Sequence, residues 1–272
     1  MGELLGAARL RRLLEQHGVR PSKSLGQNFV IDPNTIRKIV SLSGVGPSDH
    51  VLEIGAGAGS LTLGLAEVAG TVTTIEFDRK LHPVLEQTLA GLDVQVVHAD
   101  ASKLDWSSVD ADAVVANLPY NIATPLVLDA LAGAPCVRSL TVMTQREAGE
   151  RLAAGPGSKI YGHVSIVVAF YASARIVAPI SRKVFYPEPN VDSVLVRLER
   201  REPPRADPAR LFELTRAAFS QRRKTIRNSL SEIAGPPGRV EDALRAVGLH
   251  PTARPEELGI EQWLALEGEL LA

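Results

Sequence analysis

Cysteine, long apolar runs and aromatic residues are scarce in this chain of 272 residues. Its single cysteine, Cys136, can form neither an internal disulfide nor a cysteine metal cluster, which favours a cytoplasmic protein. The apolar run Ile166–Tyr171 has six residues, whereas a membrane-spanning helix needs about 20 such residues. The histidines have no metal-ligand spacing. We therefore expect no membrane span and no metal.

The composition is that of a globular protein with one strongly basic segment. Hydrophobic residues make up 45% and charged residues 22%, which excludes the disordered and fibrous classes. The formal net charge is -1, yet residues 201–230 hold eight basic side chains against three acidic ones. A basic band on a nearly neutral body predicts local binding of a polyanion.

Strand-like and helix-like runs alternate through the first two thirds of the chain. Strands are predicted at Val51–Ile54, Thr71–Phe77, Val94–His98, Ala113–Ala116, Leu140–Met143, Ala174–Ile180 and Val191–Leu198. Leu61–Ala69 and Arg79–Leu89 have helical composition, so the pattern indicates βαβ units, an α/β fold and a mostly parallel sheet. Gly162–Tyr171 fits either element.

A proline-rich stretch at 201–208 predicts a domain boundary. We expect a first domain over 1–202 and a small helical domain over 203–272, with helices at Leu211–Ser231, Val240–Val247 and Ile260–Leu271.

The first chemical motif is a glycine-rich turn that follows a strand. Glu53 to Gly59 reads E-x-G-x-G-x-G, and glycines let a backbone approach a ligand closely. Ser60 stands where the dinucleotide fingerprint requires its last glycine. The alternative is that the glycines only allow a tight turn and bind no ligand. The pattern resembles the first motif of S-adenosylmethionine-dependent methyltransferases, with Glu53, Gly55 and Gly57 in the cofactor-binding set.

Two carboxylates follow at the next strand ends. Glu76, 21 residues after Gly55, can accept hydrogen bonds from ribose hydroxyls. Asp100 follows the third strand and can accept from the amino group of an adenine. Taken singly, each could be an ordinary solvated acid. Together with the glycine turn they predict a nucleoside site at the carboxyl edge of the sheet.

Asn117-Leu118-Pro119-Tyr120 follows the fourth strand and resembles the N-P-P-Y type motif of enzymes that methylate exocyclic amines of nucleobases. The lone pair of an adenine N6 is delocalised into the ring. The Asn117 side-chain oxygen and the Leu118 carbonyl can accept its two N–H bonds and favour a pyramidal, nucleophilic amine. Pro119 fixes the turn, and the Tyr120 ring offers a face for the base.

Two further segments fit a nucleic-acid substrate. Phe185, in Phe185–Ser193, is a candidate second stacking face for the base, although the segment could be only a proline-stiffened loop. A cluster of cations between Phe219 and Leu230 is the candidate RNA contact, although such a cluster is often a solvated helix face. Its members are Arg222, Arg223, Lys224 and Arg227.

From about Lys23 to Leu266, these ordered motifs resemble the bacterial small-subunit ribosomal RNA adenine dimethyltransferases. The resemblance implies that Asn28 and Val30 close over S-adenosylmethionine and that Asn117 lies between cofactor and target. It also implies that two adjacent adenosines in the 3′-terminal hairpin loop are dimethylated at N6 within a pre-30S particle. We expect a cytoplasmic monomer.

Three alternatives remain open. The enzymes that dimethylate large-subunit RNA and confer macrolide resistance share most of these motifs. A ribosome assembly factor without turnover would keep the cofactor fold but would have no use for Asn117 and Tyr120. A nucleotide-dependent oxidoreductase is disfavoured by Ser60 and by the lack of an acid–base pair for hydride transfer.

Overall fold

The computed structural model describes residues 4–22, 24–221 and 224–271. The strands are β1 (Phe29–Val30), β2 (His50–Ile54), β3 (Thr71–Glu76), β4 (Val94–His98), β5 (Ala113–Asn117), β6 (Ser139–Gln145), β7 (Ala172–Ile180), β8 (Phe185–Tyr186) and β9 (Ser193–Arg200). The α-helices are α1 (Ala7–Gln16), α2 (Pro33–Ser43), α3 (Ser60–Ala66), α4 (His82–Leu89), α5 (Ala123–Gly133), α6 (Arg146–Leu152), α7 (His163–Tyr171), α8 (Pro208–Ser220), α9 (Ile226–Ser229), α10 (Pro237–Ala246) and α11 (Ile260–Leu271). Short 3₁₀ helices lie at Ala101–Lys103, Trp106–Ser108, Arg182–Val184 and Pro255–Glu257.

The chain divides into two compact units. The first comprises Met1–Gly149 and Ala174–Arg200, and the second comprises Glu150–Ser173 and Arg201–Ala272. The second unit thus takes in residues 150–173, which sequence analysis placed in the first domain. The physical reason is that Ile166 and Phe170 of α7 belong to the same buried cluster as Leu211 of α8.

The first unit is built on a mixed, mostly parallel sheet with the strand order β4-β3-β2-β5-β6-β9-β7. Strands β2 to β6 pair in parallel, and β9 pairs antiparallel with β6. The predicted α/β fold is confirmed. Each strand predicted from the sequence is present in this sheet, with bounds that differ by at most two residues. The central strands are apolar and buried because helices cover a parallel sheet on both faces.

The parallel arrangement places the carboxyl ends of β2, β3 and β5 at one edge. The glycine turn follows β2, Glu76 ends β3, and Asn117 ends β5. Ligands bind at this edge in open α/β sheets, so the fold itself gathers the predicted site residues.

A short ribbon that the sequence did not predict lies outside the main sheet. Strand β1 pairs antiparallel with β8, with Phe29 opposite Tyr186 and Val30 opposite Phe185. Phe29, Val30 and Phe185 are buried in the core of the first unit. The ribbon therefore fixes residues 29 and 30, which directly follow Asn28.

Helices build the second unit around the buried residues Trp263, Phe170 and Leu211. The helix expected over 211–231 is wrong as one element, because α8 ends at Ser220 and α9 begins at Ile226. The backbone N–H of Ile226 donates to the carbonyl of Ala253 over 3.0 Å. A tertiary hydrogen bond thus takes the place of the one that a continuous helix would make.

In the described ranges, no helix combines the length and the apolarity that crossing a membrane requires.

Candidate active site

A cavity of about 220 Å³ opens at the carboxyl edge of the sheet in the first unit. It brings together most of the predicted site residues: Asn28, Gly55, Gly57, Glu76, Asp100, Asn117, Leu118, Pro119 and Tyr120. Its apolar wall includes Ile54 from β2 and Ile75 from β3. The site therefore combines apolar surface with a few polar groups, as small-molecule sites do.

The three glycines of the turn use their backbone N–H groups for hydrogen bonds within the protein. Gly55 N–H donates to Ile75 O over 2.8 Å, and Gly59 N–H donates to Ala56 O over 2.9 Å. Gly57 N–H donates to the Glu76 Oε2 atom over 2.7 Å. These three glycine amides are therefore not free to bind a pyrophosphate.

Close approach explains why glycine stands at position 57. Its φ is +60°, in the left-handed region, and an added Cβ would lie 3.0 Å from the ring of Phe29. Without a side chain, the turn lies close under the ribbon and still faces the cavity.

Glu76 presents a nearly buried carboxylate to the cavity, with 7% of its surface exposed. Burial raises its pKa, while backbone N–H donors at Asp78 and Gly57 act in the opposite direction. Those donors approach different oxygens, Oε1 from Asp78 and Oε2 from Gly57. Each oxygen retains a second acceptor site, so the carboxylate is oriented to receive hydroxyl donors such as those of a ribose.

Glu53 lies beneath the turn instead of in the main cavity. Its Oε2 accepts from Thr62 Oγ1 over 2.5 Å and from Thr74 Oγ1 over 2.8 Å. It lines a smaller cavity of about 30 Å³ together with Val30. Burial raises the pKa of Glu53 to about 7, against the lowering effect of the two hydroxyl donors.

Asp100 lines the cavity from a position two residues after the end of β4. Strand β4 ends at His98, and Asp100 is the N-cap of the 3₁₀ helix Ala101–Lys103. Its Oδ1 accepts from the Ser102 hydroxyl over 2.6 Å and from the Ser102 backbone N–H over 3.0 Å. These hydrogen bonds lower the pKa of Asp100, so the group is an acceptor at neutral pH.

A hydrogen bond to Asn28, the residue before β1, holds the Asn117 side chain. Its Nδ2 donates to the backbone carbonyl of Asn28 over 2.9 Å. Because a carbonyl can only accept, this contact requires the NH₂ group of Asn117 to face Asn28. The Oδ1 atom, which can only accept, then points elsewhere and is available for an amine.

The residues after Asn117 extend from the sheet into a turn. Leu118 N–H donates to Met143 O over 3.1 Å, which continues the β5–β6 pairing by one residue. The Tyr120 hydroxyl lies 2.8 Å from Ser193 Oγ, on β9. Burial raises the pKa of Tyr120, so its hydroxyl stays neutral and its ring is anchored at one end beside the cavity.

Phe185 does not line the main cavity. Only 3% of its surface is exposed, and it pairs with Val30 in the ribbon. A stacking role for this ring would require it to leave that packing.

Sequence reasoning missed three residues that line the cavity. Phe77 follows Glu76 and is 58% exposed, which is unusual for a phenylalanine. Gln27 Nε2 donates to Asp78 Oδ2 over 2.8 Å, between residues distant in sequence. Phe77 is the last residue of a predicted strand, so the sequence offered a signal for it. No sequence pattern indicates the Gln27–Asp78 contact.

The basic segment of the second unit is described only in part. Arg222 and Arg223 lie outside the described residues. Lys224 is exposed. Arg227 Nη1 lies 2.8 Å from Glu241 Oε2, so its charge is already partly balanced.

Over the described residues, no group of three or more histidine, cysteine, aspartate or glutamate side chains is arranged to hold a metal ion.

Comparison with known proteins gives consistent matches. The family model described as ribosomal RNA adenine dimethylase matches residues 19–271. The ribosomal RNA small subunit methyltransferase A of Leifsonia xyli subsp. xyli is 45% identical, covering 97% of this chain and 97% of that protein. The protein of the same name from an Arthrobacter species is 47% identical, covering 94% and 90%.

Solved structures are similar over most of their length. A dimethyladenosine transferase from Plasmodium falciparum has a TM-score of 0.78 and 27% identity, covering 86% of this chain and 94% of that one. The 23S rRNA methyltransferase ErmE has a TM-score of 0.70 and 30% identity, covering 90% and 100%.

Proposed function

The chain belongs to the ribosomal RNA adenine dimethylase family, and from that premise we propose that it dimethylates N6 of adenosines in small-subunit ribosomal RNA with S-adenosylmethionine as methyl donor. The observation that carries the proposal is the Asn117 side chain. Its NH₂ group is fixed on Asn28 O, and its oxygen remains an acceptor at the edge of the cavity.

The cavity fits the proposed cofactor. Glu76 offers carboxylate acceptors for a ribose diol, and Asp100 offers an acceptor for an adenine amino group. The N–H groups of Gly55, Gly57 and Gly59 are internally bonded, which suits a cofactor without a pyrophosphate. When bound, S-adenosylmethionine supplies an electrophilic methyl group on a sulfonium sulfur.

The protein's own contribution is to prepare the amine. Asn117 Oδ1 accepts one N–H of the target amine, and the carbonyl of Leu118 accepts the other. Hydrogen bonds that strengthen as positive charge develops on nitrogen each stabilise the transition state by about 1.5–3 kcal/mol. Pro119 lacks an N–H that would oppose these acceptors. The Asn28 carbonyl prevents the Asn117 amide from turning its NH₂ towards the amine.

Tyr120 supplies the surface on which the base rests. Its ring lines the cavity, and its hydroxyl is held by Ser193. Stacking on an aromatic ring stabilises a base by about 1–3 kcal/mol, which offsets the cost of taking the base out of its own stack.

Sequence similarity favours the small-subunit target. Relatives named as small-subunit methyltransferases are 44–47% identical over almost the whole chain, whereas the 23S rRNA methyltransferase ErmE is 30% identical. By resemblance, we propose that the targets are two adjacent adenosines in the 3′-terminal hairpin loop and that the substrate is a pre-30S particle in the cytoplasm. In this proposal, Lys224 and its neighbours in the basic segment contact the RNA backbone.

The test is methyl transfer from labelled S-adenosylmethionine to purified 30S and 50S subunits from a strain without adenine dimethylation. Asn117→Ala serves as the inactive control, which assigns any transferred label to this chain. The proposal predicts N6,N6-dimethyladenosine near the 3′ end of the small-subunit RNA. Label only in large-subunit RNA would assign the protein to the resistance-type enzymes, and binding without transfer would favour an assembly factor.

A further inference from the structure

The loop formed by residues 24–28 is bonded to two different sides of the cavity that it lines. On the cofactor side, the Gln27 side chain is held at both ends. Its Oε1 accepts from Ser22 N–H over 2.7 Å, and its Nε2 donates to Asp78 Oδ2 over 2.8 Å. The first contact fixes the orientation of the amide, because only the oxygen can accept from an N–H.

Asp78 continues the connection to the carboxylate that faces the cavity. The backbone N–H of Asp78 donates to Glu76 Oε1 over 2.8 Å. The other oxygen, Glu76 Oε2, accepts from Gly57 N–H over 2.7 Å. Gln27, Asp78, Glu76 and the glycine turn thus form one continuous hydrogen-bonded chain.

On the side of the cavity where the target amine would bind, the next residue of the loop, Asn28, is hydrogen-bonded to Asn117. The Asn28 carbonyl accepts from Asn117 Nδ2 over 2.9 Å, and Asn28 Nδ2 donates to Gly26 O over 3.1 Å within the loop. Gln27 and Asn28 are joined by one peptide bond. A shift of Gln27 therefore changes the position of the carbonyl that orients Asn117.

We propose that Gln27 is a positioning residue that couples occupancy of the cofactor cavity to the orientation of the Asn117 amide. The inference rests on the proposed function and adds an energetic link between its two substrates. A ligand that engages Glu76 stabilises the Gln27–Asp78 contact and with it the acceptor geometry of Asn117. Cofactor binding then strengthens RNA binding, and by linkage RNA strengthens cofactor binding by the same factor.

Reversing the direction of one hydrogen bond tests this link. Gln27→Glu replaces the donor with an acceptor that faces the Asp78 carboxylate, so this variant loses the contact. Asp78→Asn keeps one oxygen, which can accept from either Gln27 Nε2 or Lys80 N–H, so this variant loses only one of these two hydrogen bonds. The double variant Gln27→Glu/Asp78→Asn restores it, because the NH₂ group introduced at position 78 can donate to the new carboxylate while Ser22 and Lys80 keep their acceptors.

The measurement is the Kd for undimethylated 30S subunits, with and without saturating S-adenosylhomocysteine. In the wild type, the ligand should lower this Kd by about fivefold or more. In Gln27→Glu the ratio should fall to about one, and in the double variant it should return to the wild-type value. The matched control is Gln87→Leu, which removes a 2.6 Å contact between Gln87 Oε1 and His17 Nε2 outside the cavity and should retain the full ratio.

The results separate this inference from the function on which it rests. If the wild type methylates 30S subunits but S-adenosylhomocysteine leaves its RNA affinity unchanged, the coupling is contradicted and the proposed function stands. A Gln27→Glu variant that keeps the wild-type ratio, or a double variant that fails to regain it, would also overturn the role of Gln27. A wild type that transfers no methyl group to 30S subunits would overturn both.

Discussion

The side-chain amide of Asn117 donates to the backbone carbonyl of Asn28, across 89 positions of the sequence. This contact fixes which end of the amide faces the ligand cavity. An asparagine without such a partner could present either its donor or its acceptor. The hydrogen bond removes that choice, and it makes the loop before β1 part of the catalytic arrangement.

The Tyr120 ring and its hydroxyl should contribute separately. Tyr120→Phe keeps the ring but leaves the fully buried Ser193 hydroxyl without its partner. We expect a loss of about 1–3 kcal/mol in the free energy of unfolding, with methyl transfer largely retained. Urea denaturation and steady-state kinetics measure the two effects.

Two further variants serve as controls for Tyr120. Ser193→Ala combined with Tyr120→Phe removes both hydroxyls and should recover much of the lost stability. Tyr120→Ala removes the ring and should lower kcat/KM by about tenfold to a hundredfold, because base stacking contributes about 1–3 kcal/mol. Full activity of Tyr120→Ala would contradict the stacking role.

Glu53 should make stability depend on pH. Its pKa is raised from 4.5 to about 7 because the carboxylate is buried. Between these values the folded state binds more protons than the unfolded state, so stability falls as pH rises from about 4.5 to 7 and then levels. The shift corresponds to about 3 kcal/mol in the free energy of unfolding.

Glu53→Gln isolates this effect. The amide resembles the protonated carboxyl, and its oxygen can still accept from Thr62 and Thr74. In urea titrations between pH 5 and 8, the wild type should lose more stability with rising pH than the variant. Equal pH dependence of the two proteins would mean that Glu53 does not titrate in this range.

Lys224 should contribute more to RNA binding than Arg227. The Arg227 guanidinium already lies 2.8 Å from the Glu241 carboxylate, whereas Lys224 is exposed. Lys224→Gln should reduce the slope of log K against log salt by about one, as expected for one lost phosphate contact. Arg227→Gln should reduce it less. Equal slopes for wild type and Lys224→Gln would mean that Lys224 contacts no RNA phosphate and that the basic segment is an ordinary solvated surface.

Local pattern was sufficient to predict the sheet and the glycine turn. The strands of the main sheet are short runs rich in valine, isoleucine, leucine and threonine and bounded by turn residues, so their positions follow from residue type. Because they are parallel, Glu76 and Asn117 were expected at one edge, and the structure brings them to a common cavity.

What could not be predicted depends on contacts between distant residues. Phe185 has the residue type of a stacking ring, but its pairing with Val30 buries it. The break between α8 and α9 depends on a hydrogen bond from Ile226 to Ala253. The Gln27–Asp78 contact joins two polar loop residues whose types say nothing about each other.

The most direct test of the central claim compares Asn117→Ala with the wild type for two quantities. These are the rate of methyl transfer to undimethylated 30S subunits under single-turnover conditions and the Kd for S-adenosylhomocysteine. Asn34→Ala, at an exposed position on α2, controls for loss of an asparagine side chain. We predict that Asn117→Ala abolishes transfer while its Kd stays within about tenfold of the wild type. Transfer by Asn117→Ala at a rate close to that of the wild type would contradict the account.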